Sequence, residues 1–166
     1  MIQHSKIFEQ SQNNIIMDIQ QKDFIERKQY MQQLRNLKDQ NIIKVITGVR
    51  RCGKSTLLMM FANDIIKGGV DTNQIQFYNF EDLDTLSIGD IYQIHTHIKK
   101  RLINDKMNYI FLDEVQNIKD FQLLVDSLLK VPVKAVIAAV PIAEPKVEPI
   151  KLQLLDVANV EFKFLT

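Results

Sequence analysis

Three apolar runs, separated by amphipathic stretches, organise this chain. Residues 42–47, Ile-Ile-Lys-Val-Ile-Thr, are apolar almost throughout, as in a strand buried on both faces of a parallel sheet. Residues 74–80 predict a second strand with partial alternation, and residues 108–113, Asn-Tyr-Ile-Phe-Leu-Asp, a third. Between and around them the period changes to that of a helix. Residues 22–39 place Phe24, Arg27, Met31, Leu34 and Leu37 close to helical spacing, and Asp39-Gln40-Asn41 breaks the pattern. A helix from Ser55 to about Lys67 ends at Gly68-Gly69, which supply a left-handed stop. Ser87-Ile88-Gly89-Asp90 resembles a capping box with Asp in place of Glu, and the helix behind it lines up Ile88, Ile91, His95, Ile98 and Leu102. A last helix over about 119–130 turns Phe121, Leu124, Val125 and Leu128 inward. Strand and helix alternate, which implies right-handed crossovers and a mostly parallel α/β sheet covered by helices.

The two ends read differently. Residues 1–21 are polar and rich in Gln and Asn, with Ile15-Ile16-Met17 as the one apolar spot; they are expected to be a flexible lead or a frayed helix, and Met17 is an alternative start. From about Val131 four prolines (Pro132, Pro141, Pro145 and Pro149) interrupt the chain. Val133–Val140 fits a fourth strand, Ala143–Pro149 an extended linker, and residues 159–165 a final alternating strand. The expected division is therefore a lead over 1–21, one nucleotide-binding domain over 22–140 and a divergent tail over 141–166.

Bulk properties narrow the classes. A chain of 166 residues, 46% apolar and 25% charged, suits one globular domain with a core. The net charge of +1 gives no global attraction to nucleic acid or membrane. No apolar run reaches a membrane-span length, and the first residues lack a signal-peptide pattern. Cys52 is the single cysteine, so no intrachain disulfide forms, and a cytoplasmic location is the expectation.

Chemistry enters at Gly48-Val49-Arg50-Arg51-Cys52-Gly53-Lys54-Ser55, which fits G-x-x-x-x-G-K-[ST] between a strand and a helix. Glycine lets the backbone approach a triphosphate, whose charge the loop N–H groups and the helix N-terminus attract. Gly48, Val49, Arg50, Arg51, Cys52, Gly53, Lys54, Ser55 and Thr56 make up the expected nucleotide-binding set, with Lys54 on the β- and γ-phosphates and the Ser55 hydroxyl on Mg²⁺. The alternative for Lys54 and Ser55 is a solvated helix start. The second motif, Tyr109-Ile110-Phe111-Leu112-Asp113-Glu114, ends a strand in two carboxylates at the edge where ligands bind in open α/β sheets. Asp113 is expected to hold Mg²⁺ with Ser55, and Glu114 to polarise the attacking water. A GTPase pattern is absent: the metal strand continues Asp113-Glu114-Val115-Gln116, and no Asn-Lys-x-Asp occurs. A small-molecule kinase stays open, without a visible acceptor site or basic lid.

The runs Val45–Ser55, Asn79-Phe80-Glu81-Asp82 and Phe111–Gln116 resemble the prokaryotic AAA-superfamily P-loop ATPases that carry a C-terminal domain of unassigned function. The resemblance covers about residues 24–130. It implies ATP as ligand, a three-layer P-loop fold, and a fourth strand lying between the phosphate-loop and metal strands, with the second strand beside the third. It also implies that Asn79 can hydrogen-bond Glu114 and control it, the alternative being a turn-forming Asn. The family's fourth strand ends in a polar γ-phosphate sensor, where this chain reads Val136-Ile137-Ala138-Ala139-Val140-Pro141. The family also continues beyond Thr166, so the core is expected to be truncated; a fragment, a reading-frame change and a divergent tail each account for residues 131–166.

The remaining polar residues receive plainer readings. Arg50 and Arg51 suit a solvated or structural role better than a partner contact, and Cys52 an inert loop position better than a redox thiol. His95 and His97, two apart, share no helix face, and His95 is expected in the core. Lys99-Lys100-Arg101 complements a helix dipole. The sequence thus reads as a Mg²⁺-dependent ATP-binding core with ATP hydrolysis, the rivals being a non-hydrolysing binding module and a DNA-acting motor subunit. Protein partners or self-association are possible partners in either case; nucleic acid and membrane have no sequence support.

Overall fold

The computed structural model of the chain describes residues 2–40, 42–131, 135–141 and 151–155. Helices α1 (Ile2–Gln21) and α2 (Lys28–Asn36) precede strand β1 (Ile43–Gly48), which feeds α3 (Lys54–Lys67). Then come β2 (Ile75–Asn79), the short α4 (Leu83–Leu86), α5 (Ile91–Lys100), β3 (Tyr109–Asp113), α6 (Phe121–Leu129), β4 (Ala135–Pro141) and β5 (Lys151–Leu155). The strands form one sheet in the order β2-β3-β4-β1-β5. The first four are parallel, and β5 runs antiparallel to β1. The order implied by the family resemblance is the order found: β4 lies between β1 and β3, and β2 borders β3.

The continuous apolar runs become central strands, buried along their full length in β1 and β3. Side chains alternate between two cores. One face carries Val45, Tyr78, Leu112 and Ala138 against Ile94, Ile98, Leu124 and Leu128 of α5 and α6. The other carries Ile46, Phe77, Phe111 and Ile137 against α1, α2 and α3, through Ile19, Leu34, Leu58 and Phe61. Helix–sheet–helix is the three-layer arrangement expected of alternating elements.

Several elements differ from the sequence expectation. Residues 2–21, expected as a flexible lead or a frayed helix, form helix α1 and dock on the sheet: Phe8, Ile16 and Ile19 are buried, and Phe8 stacks on Tyr78. Gln12 is also buried, its amide pairing with the backbone N–H and C=O of Phe77 on the outer edge of β2. The helix expected over 22–39 is restricted to α2, so Phe24 and Arg27 lie before it. The capping box sits three residues later than expected, with Asp90 rather than Ser87 as the N-cap and Gln93 as its reciprocal partner. That start buries Ile94 and Ile98, four apart, and leaves His95 half-buried rather than in the core. Helix α3 ends as expected: Gly69 is left-handed at φ +92°, and its N–H and that of Val70 bond back to the Ile66 and Ile65 carbonyls. The expected linker and the expected strand over 159–165 lie outside the described residues.

Candidate functional site

Strand β1 delivers the chain to the sheet's C-terminal edge at Gly48, where the loop 49–53 turns it into α3. Two residues of this loop take left-handed backbone, Arg51 at φ +63° and Gly53 at φ +90°. The Cys52 N–H bonds the Val49 carbonyl at 3.3 Å, closing the turn, and the Leu57 N–H bonds the Gly53 carbonyl at 3.0 Å, opening the helix. Gly53 caps α3 without a side chain, and the first turn holds no acidic residue. The N–H groups of that turn and its positive dipole end are thus left for an anion.

Lys54 is only 3% exposed. Its Nζ lies across the loop and donates to the carbonyls of Gly48 at 3.2 Å and Val49 at 3.1 Å. The ammonium is therefore held over the loop by the loop's own backbone. Ser55 and Thr56, half-buried, follow on the first turn. Arg50 is exposed and reaches Glu81, just past β2, at 3.3 Å; at such exposure the pair adds little stability.

Asp113 ends β3, also at 3% exposure. Its register partner on β2 is Asn79, and the Phe80 N–H bonds the Asp113 carbonyl at 3.0 Å. The Asp113 carboxyl is pushed up to about 6 by burial; the Ser55 hydroxyl, which hydrogen-bonds it, and the Lys54 charge oppose that shift, while the Glu114 charge adds to it. Its Oδ1 is buried without a hydrogen-bond partner. The structure thus brings Lys54, Ser55 and Asp113 together although 58 residues separate Ser55 from Asp113. Glu114 stands next to them in left-handed backbone at φ +51°, an uncommon state for a non-glycine residue.

Two polar contacts refine the sequence reading. Asn79 Oδ1 accepts the Glu81 N–H at 3.0 Å, which is the turn-forming arrangement. Glu114 Oε2 instead accepts from the Gln116 amide at 2.6 Å. Gln116 escaped sequence reasoning because a Gln two residues past a carboxylate carries no signal until the 3₁₀ turn Val115–Asn117 folds it back. Arg27 escaped too: it looked like one more member of a helix face, yet its Nη1 donates to the Cys52 carbonyl in the loop at 3.0 Å. At the end of β4, Val140 lies opposite Thr47 and Pro141 opposite Gly48, so an apolar strand end adjoins the loop where the resemblance implied a polar one.

A family model described as an AAA domain matches residues 40–139, which takes in the loop, both carboxylates and β4 up to Ala139. A protein from Haemophilus influenzae, described as uncharacterized, is 34% identical over 108 residues. That match covers 64% of this chain and 27% of the relative, so the chain corresponds to about a quarter of the relative's length. No solved structure matches the chain. Among the described residues, no helix is long and apolar enough to cross a membrane.

Proposed function

Since the chain belongs to the AAA-domain family of nucleotide-binding, ATPase-like proteins, we propose that it binds ATP with Mg²⁺ and hydrolyses it to ADP and phosphate. The observation that carries this reading is Asp113: a buried carboxylate with an unpartnered oxygen, beside the Ser55 hydroxyl and the Lys54 ammonium at the sheet's C-terminal edge. Leaving such an oxygen unpaired is costly unless a ligand satisfies it.

The donor set suits Mg²⁺. That ion takes oxygen ligands and keeps several waters, so one carboxylate, one hydroxyl and substrate phosphates suffice. Ser55 and Asp113 would hold it, and when bound it would neutralise phosphate charge. The loop N–H groups and the start of α3 bind the phosphates, and Lys54 exchanges its backbone carbonyls for phosphate oxygens. Glu114, held by the Gln116 amide, accepts a proton from the water whose oxygen bonds to the γ-phosphorus; the electron pair of the broken P–O bond leaves with ADP.

A second reading, nucleotide binding without turnover, is favoured by the apolar end of β4 next to Gly48. One set of measurements separates the two. ATP with Mg²⁺ is expected to raise the melting temperature of the parent and of Glu114→Gln, but not of Lys54→Ala. Phosphate release is expected in the parent and should fall at least about 100-fold in Glu114→Gln. Stabilisation without phosphate release in the parent would establish the binding module, and no stabilisation by any nucleotide would sink both readings. Turnover that rises on adding DNA would move the protein towards the motor class.

A further inference from the structure

We propose that Arg27 is a positioning residue for the phosphate loop, fixing the Cys52–Gly53 peptide so that the Gly53 N–H faces the bound phosphates. The inference rests on reading the loop as a nucleotide site, and adds to it a residue from outside both motifs.

The argument starts from peptide geometry. No cis peptide occurs among the described residues, so the C=O of Cys52 and the N–H of Gly53 point in opposite directions across one planar unit. Whatever holds the carbonyl on one side aims the N–H to the other. Arg27 Nη1 holds it, at 3.0 Å. Hydrogen bonds from a charged donor are about twice as strong as neutral ones, and a guanidinium offers a rigid planar fork rather than a swinging point charge. The fork lies close against the loop: a Cβ built on Gly53 would come within 2.6 Å of Arg27 Nη2 and 3.2 Å of Cζ. Gly53 is therefore required twice, once for its left-handed φ and once to let the guanidinium approach.

Local structure keeps Arg27 in this place. It stands just ahead of α2 with φ −97° and ψ 74°, outside helical backbone, and makes no side-chain cap for α2. The helix behind it is anchored by buried Met31 and Leu34, which pack in the same core as α3. Among the described residues Arg27 forms no ion pair with a carboxylate. Its charge is left to the loop, where it adds to the field of Lys54 and of the α3 N-terminus.

The test uses the full chain, with Mg²⁺-ATP and inorganic triphosphate as probes, measured by calorimetry or by competition with a fluorescent ATP analogue. Arg27→Gln should weaken both probes by tenfold or more, in equal proportion, while the melting temperature of the ligand-free protein stays within a few degrees of the parent. Arg27→Lys, which restores the charge but not the planar fork, should recover only part of the loss. In the ¹⁵N–¹H spectrum of the ligand-free protein, the Gly53 amide should shift in Arg27→Gln and return towards its parent position in Arg27→Lys. Parent-like affinity in Arg27→Gln would overturn the inference and leave the nucleotide site standing. So would a loss confined to ATP, because that pattern places Arg27 on the nucleoside instead. A parent that binds neither probe would overturn the site and this inference together. If Arg27→Gln does not fold, Arg27→Lys and Arg27→Met decide on the same readouts.

Discussion

Gly53 and Gly69 both carry left-handed backbone, yet their surroundings differ. A Cβ at Gly69 would meet nothing within 4 Å. Gly69→Ala should therefore lose only the backbone preference, about 1 kcal/mol, read as a small drop in melting temperature with ATP binding unchanged. Gly53→Ala adds a clash with the Arg27 guanidinium to the same preference, so ATP binding should collapse more than stability does. Lys44 gives a pH signature. It is fully buried on β1, its Nζ donating to the carbonyls of Gln40 and Ile42, and burial lowers it from 10.5 to about 8, with Asp39 opposing. Below about pH 8 both states carry the charge, and the native state bears its full burial cost. Between about 8 and 10.5 the native state sheds the proton first, so stability should rise with pH, by on the order of 2 kcal/mol. Urea titrations at pH 7.5 and 9.5 should show this rise in the parent and not in Lys44→Met. Above pH 10 buried Tyr78 and Tyr109, both pushed upward by burial, reverse the slope because the unfolded chain loses their protons first.

At the scale of elements, what was legible in the sequence followed from physics that acts within a few residues. The apolar runs of β1 and β3 and the double glycine after α3 announce themselves because burial on two faces and a left-handed stop each leave a local mark. Helix α1 left a weaker one. Its inward positions include Phe8, Ile16 and Ile19, but Gln12 breaks the apolar stripe. The break has a purpose that only tertiary structure reveals, since the Gln12 amide supplies β2's outer edge with the hydrogen bonds a neighbouring strand would give. Gln12→Leu keeps the volume roughly but strands the Phe77 N–H and C=O. It should cost about 2 kcal/mol or more, and size-exclusion chromatography should show added self-association through the bared edge. Helix α5 starts three residues after the expected cap for a related reason: Ser87 and Asp90 both suit an N-cap, and only the reciprocal Gln93 contact chooses between them. Asp90→Ala should lower stability by about 1 kcal/mol, whereas Ser87→Ala should leave it nearly unchanged.

For the molecule as a whole, the loop motif and the carboxylate pair were readable as separate chemistry, and the family resemblance supplied the strand order that unites them. The geometry between them was not readable, because it depends on a strand whose own sequence says nothing chemical. β4 is made almost entirely of Ala, Val and Ile, yet it lies between the strand that presents Lys54 and the strand that presents Asp113. Neighbouring strands are about 4.8 Å apart, so β4 sets the roughly 10 Å span across which Ser55 meets Asp113. This position also dictates an order of events during synthesis. β1 and β3 leave the ribosome first but cannot pair with each other in the native sheet; the middle rung arrives after both. The two halves of the site therefore wait, with apolar flanks bare, until residues 135–141 thread between them. A chain stopped at residue 131 would lack the centre of its sheet rather than a margin, and should emerge insoluble or chaperone-bound despite containing every residue of both motifs.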